Sequence, residues 1–329
     1  MTSGLPFDDY RALAARLPEG NEIAAARVGD QFARVLDAPG SLGRVADLAV
    51  WLARWTGRAP SVRRPLMAIF AGNHGVAGRG VSPRPMEATA LSVERIAAGG
   101  AAINQVCLAH DLGLKVFDLA LHLPTGDITV EDALDERACA ATMAFGMESV
   151  AGGTDLLCVG DLGVGGSTVA AALFAALFGG QGIDWVGLGS GADAAMVSRK
   201  AQAVDAALAF HAGHLSDPLE VLRRLGGREF AAIAGAVLAA RTERVPVLLD
   251  GKAALAAAAV LKALHPRALD HCLLAQCPLE KGDRAADERL GLRPILDLGV
   301  THGEGVGAAP AAGVVKASAM VSSGMAATL

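Results

Sequence analysis

A single glutamate stands between glycines near the end of the chain. Glu304 lies in the stretch THGEGVG, residues 301–307. Glycine neighbours let a carboxylate approach a ligand closely, and partial burial would raise its pKa toward a value useful for a general base. A carboxylate at the start of a helix, which complements the helix dipole without any ligand, is an equally simple interpretation. The sequence leaves both open.

A second candidate is the glycine-rich stretch GDLGVGGST, residues 160–168. Its glycines allow backbone amides to turn toward an anion, and a following helix would present its positive N-terminus. The stretch lacks the Gly-Lys-Ser/Thr of a Walker A loop and does not fit the full dinucleotide fingerprint. An anion cradle and a plain strand-to-helix turn are therefore both open interpretations.

A third group could add to such a cradle. Gly189, Ser190 and Gly191 form another glycine-rich turn, and Lys200 follows a few residues later. The glycines would supply amides and the lysine a point charge for a phosphate. The alternative for Lys200 is a solvated helix residue beside Arg199.

Histidines and cysteines give weaker signals. His74 and His302 could donate hydrogen bonds to a ligand, although a loop histidine often has no such role. His211 and His214 have no partner at metal-ligand spacing, so the sequence predicts no metal site. The cysteines form no Cys-x-x-Cys pair and are expected to be reduced thiols. They are Cys107, Cys139, Cys158, Cys272 and Cys277.

Composition excludes several classes of function. The net charge is −5 and the chain has no Lys/Arg-rich run, which argues against a nucleic-acid partner. A phosphorylated small molecule stays compatible, because a few amides and lysines suffice to bind it. Mean hydropathy is +0.39, but the apolar runs are alanine-rich and shorter than a membrane span. The first twenty residues do not resemble a signal peptide, so we expect a cytoplasmic protein without a membrane segment.

The elements that must position these residues follow from hydrophobic periodicity. Short apolar runs recur, each followed by a glycine-bearing turn and an alanine-rich stretch, which is typical of βα units. Because several runs are apolar without alternation, the sheet should be mostly parallel and covered on both faces. The predicted strands are Leu66–Phe70, Lys115–Ala120, Leu156–Val159, Trp185–Leu188, Val245–Leu249, Cys272–Ala275 and Ile295–Leu298.

Helices are predicted between these strands and at both chain ends. Pro218 after Asp217 marks a helix start, because aspartate caps helices and proline suits their first turn. The predicted internal helices are Ala88–His110, Glu131–Val150, Thr168–Phe178, Ala192–His211, Pro218–Leu225, Glu229–Arg241 and Ala253–Leu264.

The resulting fold class is α/β, with a Rossmann-like, mostly parallel sheet flanked by helices. We expect a large domain over residues 62–304 and a small helical domain made from residues 1–61 and 305–329. In such a sheet, ligands bind beyond the carboxyl ends of the strands, where Glu304 and the glycine-rich loops should meet.

Several motifs along the chain, taken together, resemble one family. They are PGSLGR (39–44), GNHGV (72–76), GGAAIN (99–104), DPLEVL (217–222), VLLDG (247–251) and GEG (303–305). In this combination the chain resembles the nicotinate-nucleotide:dimethylbenzimidazole phosphoribosyltransferases, and more closely their alphaproteobacterial members. The resemblance runs over nearly the whole chain.

The resemblance implies an activity. Such enzymes move ribose 5-phosphate from nicotinate mononucleotide to a nitrogen of 5,6-dimethylbenzimidazole, giving α-ribazole 5′-phosphate and nicotinate for assembly of the cobalamin lower ligand. They invert the anomeric carbon and are homodimers. The expected partners are therefore these small-molecule substrates and a second subunit, and no cofactor is expected.

The resemblance also implies roles for individual residues. The glutamate of Gly-Glu-Gly, here Glu304, would take the proton of the benzimidazole. The residues implied for the phosphate and nucleotide are Gly160, Asp161, Leu162, Gly163, Val164, Gly189, Ser190, Gly191, Lys200, Pro278, Leu279, Glu280 and Lys281. The residues implied for the base are His74, Ser82, Leu91, Ser92, His302 and Gly303.

The chain departs from the family pattern at several of these positions. Asp161 stands for a glutamate, Lys252 for an aromatic residue, and Leu91-Ser92 lacks an expected glutamine. The stretches 166–168, 278–280 and 301–302 read GST, PLE and TH instead of NTT, SAE and RL. Two alternatives follow: a paralogue without turnover that binds a nucleotide or benzimidazole, and a transferase for another acceptor.

Overall fold

Six parallel strands form one sheet in the part of the chain that the structure describes. The structure is a computed structural model and describes residues 5–36, 38, 40–189 and 191–325. The strands are β1 (Pro65–Ala71), β2 (Gly113–Asp118), β3 (Leu156–Leu162), β4 (Val247–Leu249), β5 (Cys272–Gln276) and β6 (Pro294–Leu296). The predicted fold class is confirmed.

The strand order is β2-β1-β3-β4-β5-β6. In β1, Leu66 is in register with Gly113 on one side and with Leu157 on the other. The chain therefore moves outward from β1 to β2 and then returns to the opposite side with β3. Such a switch opens a crevice at the carboxyl ends of the two central strands, which is where α/β sheets bind ligands.

Fourteen α-helices surround the sheet in the described residues. They are α1 (Pro6–Ala14), α2 (Glu22–Val35), α3 (Arg44–Thr56), α4 (Ala88–Ala97), α5 (Ala102–His110), α6 (Glu136–Met147), α7 (Gly166–Phe178), α8 (Gly182–Trp185), α9 (Ala194–Phe210), α10 (Pro218–Leu225), α11 (Arg228–Thr242), α12 (Lys252–Leu264), α13 (Lys281–Leu290) and α14 (Ala308–Gly324). In this part of the chain, no helix is long and apolar enough to cross a membrane.

The sheet separates two apolar cores. Leu66, Ala68 and Phe70 of β1 face the larger core, which also contains side chains of α7, α11 and α12. Met67 and Ile69 face the other core, shared with α3, α5 and α14. Alternate residues of one strand are thus buried on both faces, which explains why the strand sequence shows no polar alternation.

The helices at the two chain ends pack in two places. Helices α2, α3 and α14 share a small cluster that includes Phe32, Ala49 and Val321. Helix α1 lies against α6, where the Tyr10 hydroxyl donates to the Ala140 carbonyl at 2.7 Å. Because α3 and α14 also pack on the sheet, they form one of its covering layers. The division into a large and a small domain stays a prediction.

Two predicted elements differ from the structure, and one helix was missed. The strand at Trp185–Leu188 is wrong, because Trp185 ends the short helix α8. Its indole N–H donates to the Gly179 carbonyl at 2.9 Å, and its ring packs on Phe174 and Phe178. These aromatic contacts, instead of strand pairing, account for the apolar run.

The other two differences concern helices. The predicted helix Ala88–His110 is two helices, since Gly99 adopts a positive φ of 77° that stops α4 before α5 begins. Helix α13 was not predicted. Its sequence, KGDRAADERL, is mostly polar, so it carries little of the apolar signal that marks a buried helix.

Helices α6 and α11 lie unusually close together, and the fold therefore predicts a strong effect of one methyl group. A Cβ on Gly235 would lie 1.9 Å from the Met143 carbonyl oxygen. We expect Gly235→Ala to lower the free energy of unfolding by about 1–3 kcal/mol, because the helices must separate. Urea denaturation followed by circular dichroism measures this change.

The matched control for Gly235 is Gly29, which is exposed in α2 and would place a Cβ with nothing within 4 Å. Gly29→Ala should raise stability by about 0.5–1 kcal/mol, the usual gain for alanine over glycine in a helix. Equal effects of the two substitutions would contradict the close helix contact.

Candidate active site

The loop before α14 contacts strand β3 through two glycines, so backbone atoms alone form the contact. A Cβ on Gly160 would lie 2.8 Å from both the nitrogen and the Cα of Gly305. Gly305 has φ +74°, and a Cβ there would lie 2.0 Å from Cε of Met67. Both positions therefore require glycine. Their contact brings the segment that carries Glu304 against the carboxyl end of a central strand.

Glu304 is held in a backbone conformation that L-residues seldom adopt. Its φ is +66°, which costs on the order of 1 kcal/mol for a residue with a side chain. The residue is 6% exposed, and Oε2 accepts no hydrogen bond from the described residues. The half-exposed His302 places Nε2 3.4 Å from that oxygen. A buried carboxylate oxygen that accepts no hydrogen bond is well placed to accept a proton.

Asp161 lies next to the Glu304 loop. A Cβ on Gly251 would lie 3.2 Å from Asp161 Oδ1, and one on Gly303 would lie 3.9 Å from its carbonyl oxygen. Burial raises the pKa of Asp161 to about 7, with further increases from the charges of Glu229 and Asp250. Near neutral pH this group therefore exists both as a carboxylic acid and as a carboxylate.

The predicted anion cradle connects β3 to the N-terminus of α7. Gly163 is pressed against the Gly72 carbonyl, since a Cβ there would lie 2.7 Å from that oxygen. The Val164 N–H donates to Thr89 Oγ1 of α4 at 3.3 Å. Gly165 precedes the helix with φ +91°. The loop thus turns sharply, and the positive end of a 13-residue helix points out of it.

Lys200 reaches the same place from α9. Its side chain is 3% exposed and donates to the Gly187 carbonyl at 3.0 Å. A Cβ on Gly189 would lie 3.2 Å from Lys200 Nζ and 3.5 Å from Ser167 Oγ. Burial lowers the pKa of Lys200, and the charge of Glu280 opposes this. The structure thus brings together the start of α7, the glycine turn and Lys200. Ser190 lies outside the described residues.

The Glu280 carboxylate already accepts a hydrogen bond from one backbone amide of this region. The Gly189 N–H donates to Glu280 Oε1 at 2.6 Å, while Lys252 Nζ donates to Oε2 at 3.2 Å. Lys252 also contacts Asp283 Oδ1 at 2.9 Å. Lys252, where the family pattern has an aromatic residue, therefore joins an ionic cluster at the start of α13. This role was missed from the sequence.

The remaining residues predicted for the nucleotide lie around Glu280. Pro278 is partly buried and Leu279 is 37% exposed. Lys281 is exposed at the first position of α13, and Gly191 has φ +104° just before α9. These four residues lie near the turn at Gly187 and Gly189. None of them forms a described hydrogen bond with that turn.

His74 lies behind the anion cradle. It is 0% exposed and bonds through Nε2 to Glu229 Oε1, whose side chain is also fully buried. Cβ atoms on Gly72, Gly163 or Gly227 would each lie within 3.1 Å of this pair. The pair therefore supports the loops from inside, and His74 has no exposed surface for a base.

Of the other residues predicted for the base, His302 and Gly303 lie in the Glu304 loop, and the rest lie in or before α4. Leu91 is 59% exposed and Ser92 is 5% exposed, while Ser82 accepts from the Arg84 N–H at 3.2 Å. A groove of about 530 Å³ runs along α4, and neither Leu91 nor Ser92 lines it. Its lining includes Asn73, Met86, Ala90, Val93, Leu121 and His122.

Histidines and cysteines elsewhere lie outside this site. His211 bonds to the Ile128 carbonyl at 3.0 Å and lies 3.5 Å from Asp132. Across the described ranges, no three His, Cys, Asp or Glu side chains are grouped so that they could hold a metal ion. The five cysteines are free thiols, and all but Cys277 are buried.

Comparisons of the sequence point to one family. A family model described as phosphoribosyltransferase matches residues 17–328. A nicotinate-nucleotide–dimethylbenzimidazole phosphoribosyltransferase of Rhizobium etli is 60% identical over 98% of this chain and 96% of its own length. The protein of the same name from Sinorhizobium medicae is also 60% identical, with the same coverage.

Solved structures agree with the sequence relatives. The nicotinate-nucleotide-dimethylbenzimidazole phosphoribosyltransferase of Thermus thermophilus superposes with a TM-score of 0.85 at 33% identity, covering 93% of this chain and 97% of that one. A second structure, CobT from the same organism, gives a TM-score of 0.86 at 35% identity with the same coverage. This chain therefore belongs to the nicotinate-nucleotide:dimethylbenzimidazole phosphoribosyltransferase family.

Proposed function

We propose that this protein transfers ribose 5-phosphate from nicotinate mononucleotide to 5,6-dimethylbenzimidazole, giving α-ribazole 5′-phosphate and nicotinate for the cobalamin lower ligand. The relatives named for this reaction, at 60% identity over nearly the full length, support the substrates. The observation that carries the chemistry is Glu304, a buried carboxylate whose Oε2 accepts no hydrogen bond from the described residues.

In this mechanism Glu304 is the general base. Its carboxylate takes the N–H proton of the benzimidazole, since an azole nitrogen becomes a better nucleophile as that proton leaves. The other ring nitrogen forms a bond to the anomeric carbon while the bond to nicotinate breaks. The electron pair of that bond goes to the nicotinate nitrogen, which neutralises its pyridinium charge. No proton is needed by the leaving group.

The phosphate is assigned to the region around Lys200. The lysine supplies a buried positive charge, and the N-terminus of α7 supplies a dipole of the same sign. Ser167 Oγ lies beside Lys200 Nζ at the Gly189 turn and can add a hydrogen bond. Fixing the phosphate holds the anomeric carbon in one place relative to Glu304, which lowers the entropy cost of reaction.

The proposal also includes a homodimer that works in the cytoplasm. The homodimer rests on the family resemblance, and the cytoplasmic location is carried over from the sequence interpretation. Exposed apolar side chains on the packed helices α2 and α14, Ile23 at 69% and Met320 at 66%, are compatible with a partner surface there.

Removing the base should reduce turnover without preventing binding. Glu304→Gln keeps the shape of the side chain but not its basicity, so we expect kcat to fall by about 10²–10⁴-fold. The KM for nicotinate mononucleotide should change little, because the phosphate contacts remain. Nicotinate release, followed by chromatography, measures both constants.

The control for that experiment is Glu288→Gln, an exposed glutamate on α13. It should behave as the unmodified protein. Wild-type turnover in Glu304→Gln would reject the proposed base. Failure of the unmodified, folded protein to release nicotinate with dimethylbenzimidazole or other bases would reject the function itself.

Removing the buried lysine should weaken nucleotide binding. We expect Lys200→Met to raise the Kd for nicotinate mononucleotide by about 10–100-fold, because a hydrogen bond to a charged group contributes about 1.5–3 kcal/mol. Calorimetry measures the affinity. Lys316→Met, which removes a lysine paired with Asp111, should leave the Kd unchanged. An unchanged Kd in Lys200→Met would remove this lysine from the phosphate site.

Ionisation of Asp161 should make nucleotide binding depend on pH. Its pKa is raised to about 7, so below that pH the group is a neutral carboxylic acid, and above it the carboxylate repels the negatively charged nucleotide. The Kd should therefore rise between about pH 6 and pH 8. In Asp161→Asn, calorimetry should give a nearly constant Kd over this range. The same rise in both proteins would assign the pH dependence to another group.

A further inference from the structure

Asp250 is a buried carboxylate that the proposed chemistry does not use. It follows β4 and is 5% exposed. Its Oδ2 accepts hydrogen bonds from the Gly307 N–H at 2.8 Å and the Ala308 N–H at 3.1 Å. These amides stand at the N-terminus of α14, where helix amides have no partner within the helix. Asp250 therefore ties the start of α14 to the end of a central strand.

Gln276 holds the other end of the same segment. It ends β5, the strand beside β4, and its Nε2 donates to the Val300 carbonyl at 3.1 Å. The two side chains also crowd Gly307, since a Cβ there would lie 2.7 Å from Gln276 Nε2 and 2.9 Å from Asp250 Oδ1. Residues 300–307 are therefore fixed at both ends by adjacent strands.

Glu304 lies between these two attachments. Its positive φ is unfavourable, so the conformation persists only where the surroundings hold it. The turn around it contains two local hydrogen bonds, from Val306 N–H to the Gly303 carbonyl at 3.4 Å and from Ala308 N–H to the Gly305 carbonyl at 3.0 Å. Because the first is long, the attachments outside the turn must supply much of the restraint.

Asp250 is suited to this task by its charge as well as its position. Burial raises the pKa of Asp250 to about 6, and the hydrogen bonds from Gly307, Ala308 and Gln276 limit the rise. Above that pH the carboxylate is charged and accepts stronger hydrogen bonds than a neutral group would. It also interacts favourably with the dipole of α14.

We propose that Asp250, together with Gln276, is a positioning residue that acts on the reaction through Glu304. It keeps the strained turn closed so that the glutamate oxygen faces the acceptor base. The proposal rests on the proposed role of Glu304 as base. Asp250 itself touches no reacting atom.

The alternative is that Asp250 only caps α14 and has no further role. The chain contains a matched example of such a cap. Asp217 caps α10 in the same way, with Oδ1 accepting from the Leu219 N–H at 2.8 Å and the Glu220 N–H at 3.1 Å. It lies in a different layer and contacts Arg11. Asp217→Asn therefore controls for the loss of a charged cap.

The test combines single variants with a double-mutant cycle. In Asp250→Asn we expect kcat to fall by about tenfold or more, with the KM for nicotinate mononucleotide within about twofold of the unmodified value. Asp217→Asn should lower Tm and leave kcat unchanged. In the Glu304→Gln background, Asp250→Asn should reduce the residual kcat by less than about twofold, because the group it positions is gone.

Two results would overturn the inference. Unchanged kcat in folded Asp250→Asn would make Asp250 a cap only, and an equal fold-loss with and without Glu304 would show that it acts by another route. If Asp250→Asn does not fold, Gln276→Leu decides in the same cycle, with a smaller loss of kcat expected. Wild-type kcat in Glu304→Gln would instead reject the proposed base, so the two failures are distinguishable.

Discussion

The close approach of two glycine backbones, Gly160 on β3 and Gly305 before α14, is the contact on which the rest of this site depends. A side chain on Gly160 would push the two segments apart, and one on Gly305 would collide with Met67. Their approach lets the carboxyl end of a central strand and the segment carrying Glu304 share one wall of the crevice. The phosphate region lies at the far end of the same β3 loop, so one short stretch of chain connects both halves of the proposed reaction.

More carboxylates than cations lie around this contact. Asp161, Asp250 and Glu304 lie close together, and Glu229 is buried behind them. Burial keeps the pKa of Asp161 and of Asp250 high, so part of this negative charge is removed by protonation near neutral pH. The cations Lys200 and Lys252 are concentrated at the other end, around Glu280. The site is thus divided between a proton-accepting region and an anion-binding region.

Much of the sheet could be predicted from the sequence, because a strand buried on both faces leaves an uninterrupted apolar run, as in β1 and β3. Trp185–Leu188 shows the limit of that signal, since an apolar run held by aromatic packing looks the same. The main segments of the site could be predicted from the motifs around Glu304, Lys200 and Gly160. The contacts between these segments could not be predicted. Glu280, for example, accepts from an amide 91 residues away, and no local sequence pattern encodes such a pairing. For Asp250, a polar residue directly after a buried strand was the available signal.

The packing of α14 has a consequence for how the molecule acquires its activity. This helix joins α3, from early in the chain, to the sheet, and the glutamate turn precedes it directly. Closing a contact between such distant segments is slow, because the intervening chain must first be ordered. The docking of α14 therefore requires both α3 and the sheet strands to be in place. The proton acceptor reaches its place only when the start of α14 meets the end of β4, and a chain without that contact would have no reactive centre.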